Sequence, residues 1–88
     1  MKIIFSSHAL ARMRERFISK NTVMQALTSP DILEGSSEDA TKFLIKKLYS
    51  HKKFSKQHLL LIIYKMRRSD IKIITVIDTS KINKYFYS

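Results

Sequence analysis

The chain has 88 residues, 44% of them hydrophobic, with 17 Lys+Arg against 7 Asp+Glu, a net charge of +10 and no cysteine. That length predicts a single domain over residues 1–88, the apolar content excludes compositional disorder, and the lack of cysteine excludes a disulfide scaffold, a thiolate zinc site and a thiol nucleophile. The charge is uneven: residues 1–44 hold 6 basic and 5 acidic side chains (+1), whereas residues 45–88 hold 11 and 2 (+9), a bias that points to a polyanionic partner.

The opening Met1-Lys2-Ile3-Ile4-Phe5 is too short for a signal-peptide core. Residues 7–17 read as a helix with Ser7 at its N-cap, and Leu10, Met13 and Phe17 fall within one apolar stripe at 100° per residue. Ile18-Ser19 breaks that helix and starts another. Ser19 is the expected cap, Ile18 and Val23 have the spacing of a hydrophobic staple, and the helix ends before Pro30. Residues 31–35 suit a short strand, and Gly35 to Asp39 a loop. Thr41 to Leu48 suits a strand with one exposed face, and His51 to Gln57 a hairpin connection. Leu59 to Tyr64 is a continuous apolar run, as expected of a central strand covered on both faces. It is also the longest such run, and its six residues fall far short of the roughly 20 of a membrane span. Arg67 to Asp70 turns the chain into a further strand, Ile71 to Ile77. Thr79 to Ser88 is a short helix or an edge strand. Helices followed by sequential strands predict an α+β fold, with two N-terminal helices packed on a three- to four-stranded antiparallel sheet.

A single glycine excludes the Gly-rich phosphate loops. His8, His51 and His58 lack metal-site spacing and the acids are scattered, so no metal or cofactor is expected. One constellation differs. His8, Arg12 and Arg16 recur at i, i+4 and i+8, which places them on one polar stripe opposite the apolar one. Two guanidiniums supply forks that match phosphate oxygens, and an imidazole supplies a general acid or base, the groups that metal-free RNA cleavage needs. The plainer reading is a solvated face with Glu15 paired to Arg12. Lys46, Lys47, Lys52, Lys53, Lys56, Lys65, Arg67, Arg68 and Lys72 form a basic belt suited to phosphate contacts, or to blocking edge-strand pairing. His58, beside an apolar strand, reads as structural or exposed. Tyr49, Phe54 and Tyr64 suit either base stacking or the core. Thr75 suits either a cleft or a strand, and Lys81, Lys84 and Tyr85 suit one helical face.

Ser6 to Ser19, with Val23 and Leu27, resembles the opening of the small domains grouped as domain of unknown function 4258, whose pattern is S-x-H-A-x-x-R-M-x-E-R-x-I-S. The late strand Ile73-Ile74-Thr75-Val76-Ile77 and the basic stretch from Thr79 to Tyr85 resemble that family too. Phe17 stands where the family often has a small residue, commonly Gly. The resemblance implies kinship with RelE/ParE-like toxins, a RelE-like fold of the barnase and colicin ribonuclease type, and metal-independent RNA cleavage. It also implies His8, Arg12 and Arg16 as site residues, with Thr75 and the Lys81–Tyr85 stretch opposite.

The resulting expectation is a cytoplasmic, toxin-like endoribonuclease without a cofactor. His8, Arg12, Arg16, Lys81 and Tyr85 would do the chemistry. Lys46, Lys47, Lys52, Lys53, Lys65, Arg67, Arg68 and Lys84 would hold RNA. The alternatives are a non-catalytic nucleic-acid-binding module and a basic interaction protein. Candidate partners are RNA, an acidic antitoxin-like protein and a second copy of the chain, with no membrane.

Overall fold

A computed structural model describes residues 2–87. The elements run β1 (Ile3–Phe5), α1 (Ser7–Glu15), α2 (Lys20–Thr28), β2 (Ile32–Gly35), β3 (Lys42–His51), β4 (Lys56–Arg67), β5 (Asp70–Thr79) and α3 (Ile82–Tyr85). The strands form one sheet in the order β1-β5-β4-β3-β2. Strands β2 to β5 make an antiparallel meander, while β1 lies parallel to β5 with Ile3 opposite Ile71 and Phe5 opposite Ile73. The fold is α+β, but the expected RelE-like arrangement of two helices on a three- to four-stranded antiparallel sheet is corrected. The sheet has five strands and is mixed, and a third short helix follows it. The apolar run Ile3-Ile4-Phe5 is too short to stand as a strand by itself, and only the distant edge of β5 makes it one.

Local signals set the helix ends. The N-cap of α1 is Ser6 rather than Ser7, because the Ser6 hydroxyl accepts from the Ala9 amide at 3.0 Å and donates to the Ile74 carbonyl at 2.8 Å. Ile74 is the extra residue of a β-bulge: Ile63 pairs with Thr75, but Tyr64 pairs with Ile73. The cap therefore fixes α1 to the bulged edge of β5. At its other end the Ile18 amide donates to the Met13 carbonyl at 2.8 Å, and the Phe17 amide to that of Arg14 at 3.4 Å. This is a Schellman closure, whose C′ residue must be left-handed, and Phe17 has φ 59°. Glycine is the residue best suited to that position, which gives the physical reason for a small residue at this turn. Ser19 caps α2 by accepting from the Thr22 amide, as expected.

Ala9, Met13, Ile18, Val23 and Ala26 of the helical segment pack against Ile45, Leu60, Ile62, Tyr64, Ile73 and Val76 of the sheet. The alternation of β4 puts Leu60, Ile62 and Tyr64 on this helix-covered face, and β4 is central as expected. Its other face is only partly covered, since Leu61 and Ile63 are half-buried and Ile77 beside them on β5 is 42% exposed. No helix among the described residues is long and apolar enough to cross a membrane.

Candidate functional site

Strand β1 pairs with Ile71 to Ile73 of β5, and among the described residues the later half of β5 carries no strand on that side. The C-terminal half of α1 lies along this stretch. Arg12 and Arg16, one turn apart and both exposed, line a cavity of about 200 Å³ with Val76, Ile77 and Asp78. A second cavity of about 340 Å³ adjoins it and shares Arg16 and Asp78. Its other walls include Phe54, Lys56, His58, Thr79 at the end of β5, and Ser80 and Lys81 just beyond it. Three cations from separate elements, Arg16, Lys56 and Lys81, thus face one space. Guanidinium and ammonium groups arranged so are suited to an anion with several oxygens, such as a phosphodiester.

Behind the cations lies a polar network on the helix-covered face. The His58 Nδ1 is 3.0 Å from both carboxylate oxygens of Asp78, and the Tyr49 hydroxyl donates to Asp78 Oδ1 at 2.5 Å. His58 and Asp78 are both buried. Because the carboxylate can only accept, Nδ1 carries the proton shared with it and Nε2 is the ring's remaining valence. Nε2 is buried and has no hydrogen-bond partner among the described residues. Burial first, and then the Asp78 carboxylate, push the Tyr49 hydroxyl well above its ordinary pKa of 10, so it stays a donor. The Phe54 ring stacks on the imidazole, with centroids 5.5 Å apart and planes 13° apart.

A second buried imidazole sits 5.0 Å away. His51 Nε2 lies 2.8 Å from the Arg16 carbonyl, and its Nδ1 accepts from the Lys53 amide at 3.2 Å. That pair of bonds defines a neutral ring with its proton on Nε2. The same turn touches α1 again through Lys53, whose ammonium stands 3.4 Å from the Phe17 ring centroid. His51 therefore fixes the end of α1, and with it the start of the Arg16 side chain.

The residues expected from sequence divide. Arg12, Arg16 and Lys81 come together around the two cavities. His8 is exposed in the first turn of α1 and lines neither cavity, and nor does Tyr85, whose carbonyl accepts from the Lys46 ammonium at 2.9 Å. Arg12 also stands 3.7 Å from Glu15, both exposed, as the plainer reading had it. Lys46 is only 3% exposed and serves α3, so it is not presented to a polyanion. Lys47 is half-buried and 3.8 Å from Asp31. Lys65 reaches Asp39 at 3.1 Å; the Thr41 hydroxyl and amide, joined by Lys65, hold the Asp39 carboxyl at about 2. Lys52 and Lys53 lie at the β3–β4 turn beside the cavities. Arg67 and Arg68 lie at the opposite end of β4, and Lys84 lies on α3 with its ammonium near the Tyr85 ring. Thr75 pairs with Ile63, on the sheet face away from α1 and α2. Among the described residues no three His, Asp or Glu side chains gather where they could hold a metal ion.

Sequence reasoning missed His58 and Asp78 as a pair. Period-two alternation from Leu60 puts His58 on the core face, and the pairing of Leu60 with Asp78 puts the carboxylate beside it. The first step was readable locally, but the second needed the register.

Fold and site together define a small basic α+β domain whose cation-lined cavities flank an open stretch of sheet edge. The sequence profile of the domain of unknown function DUF4258 matches residues 5–78, and the chain belongs to that family. No curated protein and no solved structure matches the chain significantly.

Proposed function

We propose that this protein is a toxin-like endoribonuclease that cleaves RNA by transesterification, with the scissile phosphate held by Arg12, Arg16 and Lys81. The observation that carries this reading is the convergence of Arg16 and Lys81, from distant parts of the chain, on one cavity that also holds an imidazole–carboxylate pair. The resemblance of the opening motif to the domain of unknown function 4258 family, which is grouped with RelE/ParE-like toxins, is in keeping with the same activity. The cations supply charge stabilisation for the phosphorane, and removing one such donor costs roughly 10²–10³-fold in rate. His8, on the exposed first turn of α1, and Lys84 and Tyr85 of α3 are the further residues that the sequence nominates for proton transfer and charge stabilisation.

Cleavage of single-stranded RNA in the presence of a chelator should be readily measured for the wild type and fall about 100-fold in Arg16→Ala. No cleavage by the wild type, or equal cleavage by both, defeats the proposal. A second reading, binding without cleavage, is favoured by the exposed cations far from the cavities, Arg67 and Arg68. It predicts RNA affinity that falls steeply with salt and changes little in Arg16→Ala.

A further inference from the structure

We infer that the proton-transfer group of this site is His58, with Asp78 and Tyr49 as positioning residues behind it. The inference rests on the ribonuclease reading and names the group that reading requires. Its geometric basis is threefold. His58 lines the cavity on which Arg16, Lys56 and Lys81 converge. Its Nδ1 is held by both oxygens of a buried carboxylate, which fixes the ring and its proton. Its Nε2 is buried and unpartnered, which is costly for a ring that served only the core. His51, 5.0 Å away, shows the contrast, because both of its nitrogens are satisfied.

In the reaction, the 2′-hydroxyl proton passes to His58 Nε2 as the 2′-oxygen bonds to phosphorus. The bond from phosphorus to the 5′-oxygen breaks, and that oxygen takes a proton from the Lys81 ammonium. The products are a 2′,3′-cyclic phosphate and a 5′-hydroxyl. The imidazolium then returns its proton to Lys81 through solvent, so the step needs no co-reactant. Nε2 is closed to solvent, and Phe54 stacks on the face of the ring. Phe54 is 49% exposed and sits on the turn between β3 and β4. Access of the ribose to Nε2 therefore requires that the β3–β4 turn shift.

The test uses the full chain, with histidines labelled in nitrogen-15 and a 2′-O-methyl oligoribonucleotide that binds but cannot be cleaved. The His58 Nε2 resonance should shift on addition, and the shift should be lost in Arg16→Ala. Cleavage of the unmodified RNA should fall at least 100-fold in His58→Gln, with affinity for the 2′-O-methyl probe kept within about threefold. Asp78→Asn should lower kcat at constant KM and move the His58 Nδ1 resonance. Because the shift is read on the wild type, a misfolded His58→Gln cannot hide the answer. An unmoved Nε2 resonance, or loss of cleavage in His8→Ala with full cleavage in His58→Gln, overturns the assignment and leaves the ribonuclease reading standing. Absence of wild-type cleavage overturns both.

Discussion

His51 closes β3 and His58 opens the buried part of β4, and their rings are 5.0 Å apart on one face of the sheet. Both are buried, yet they are bonded in opposite ways. His51 is anchored entirely to backbone, the Arg16 carbonyl on one side and the Lys53 amide on the other, so it works as a strut between a turn and a helix end. His58 is bonded on one side only, to a carboxylate, and its other nitrogen is left unused beside a cavity. Burial alone does not separate a structural histidine from a chemical one. The bonds of the second nitrogen do, because a buried polar atom without a partner is a standing cost that folding by itself does not explain.

Substitutions can break or sharpen this contrast. The largest effect is expected for Asp78→Ala, which strands the His58 Nδ1–H and the Tyr49 hydroxyl in the core. Each donor left unsatisfied costs about 1–3 kcal/mol, and with two of them the loss is visible as a lower urea midpoint. His51→Ala leaves the Arg16 carbonyl without its donor and should cost about 1–3 kcal/mol. If His51→Ala removed cleavage as fully as His58→Gln, at equal folded fractions, the division between strut and chemical group would fail. Tyr49→Phe removes one bond to Asp78 and should cost about 1.5 kcal/mol near neutrality. The folded pKa of Tyr49 is raised, so its contribution is complete below the ordinary value of 10 and is lost as pH rises above it. The gap between wild type and Tyr49→Phe should therefore narrow in alkaline denaturation series. The smallest effect is expected for Phe17→Gly. Relief of a left-handed Phe gains about 1 kcal/mol, partly offset by the lost Lys53 contact, worth about 0.5 kcal/mol at an exposed site. A melting temperature a few degrees higher is expected; a lower one would show that the Lys53–Phe17 contact, and the seating of the β3–β4 turn on α1, matter more.

The sequence displays what is encoded within a few residues. Leu59 to Tyr64 and Ile71 to Ile77 declare themselves as strands because their apolar runs are continuous, and Ser19 declares a cap because nothing competes with it. At Ser6-Ser7 two serines compete, and a carbonyl on β5, 68 residues further along, decides between them. Strand β1 carries only a three-residue apolar signal, too short to declare a strand before β5 is in place. The stripe of His8, Arg12 and Arg16 is correct as helical geometry, but which of its members reach a cavity depends on where β5 runs. Arg12 and Arg16 lie beside the open edge, while His8 lies back toward the bulge. His58 looked unremarkable because its partner, Asp78, is 20 residues away and only strand register joins them.

The parallel pairing of β1 with β5 also has a consequence in time. On the ribosome the first strand is made long before β5, with which it pairs, and the intervening meander can form without it. Pairing across so many residues is slow compared with closing a hairpin. Arg12 and Arg16 belong to the helical turn tethered to that first strand, whereas Asp78 lies near the end of the last and Lys81 just beyond it, so the cation-lined cavities come into being only at the final docking of α1 on the sheet. A nascent chain, however far its hairpins have progressed, carries the separate pieces of the site and no assembled cavity.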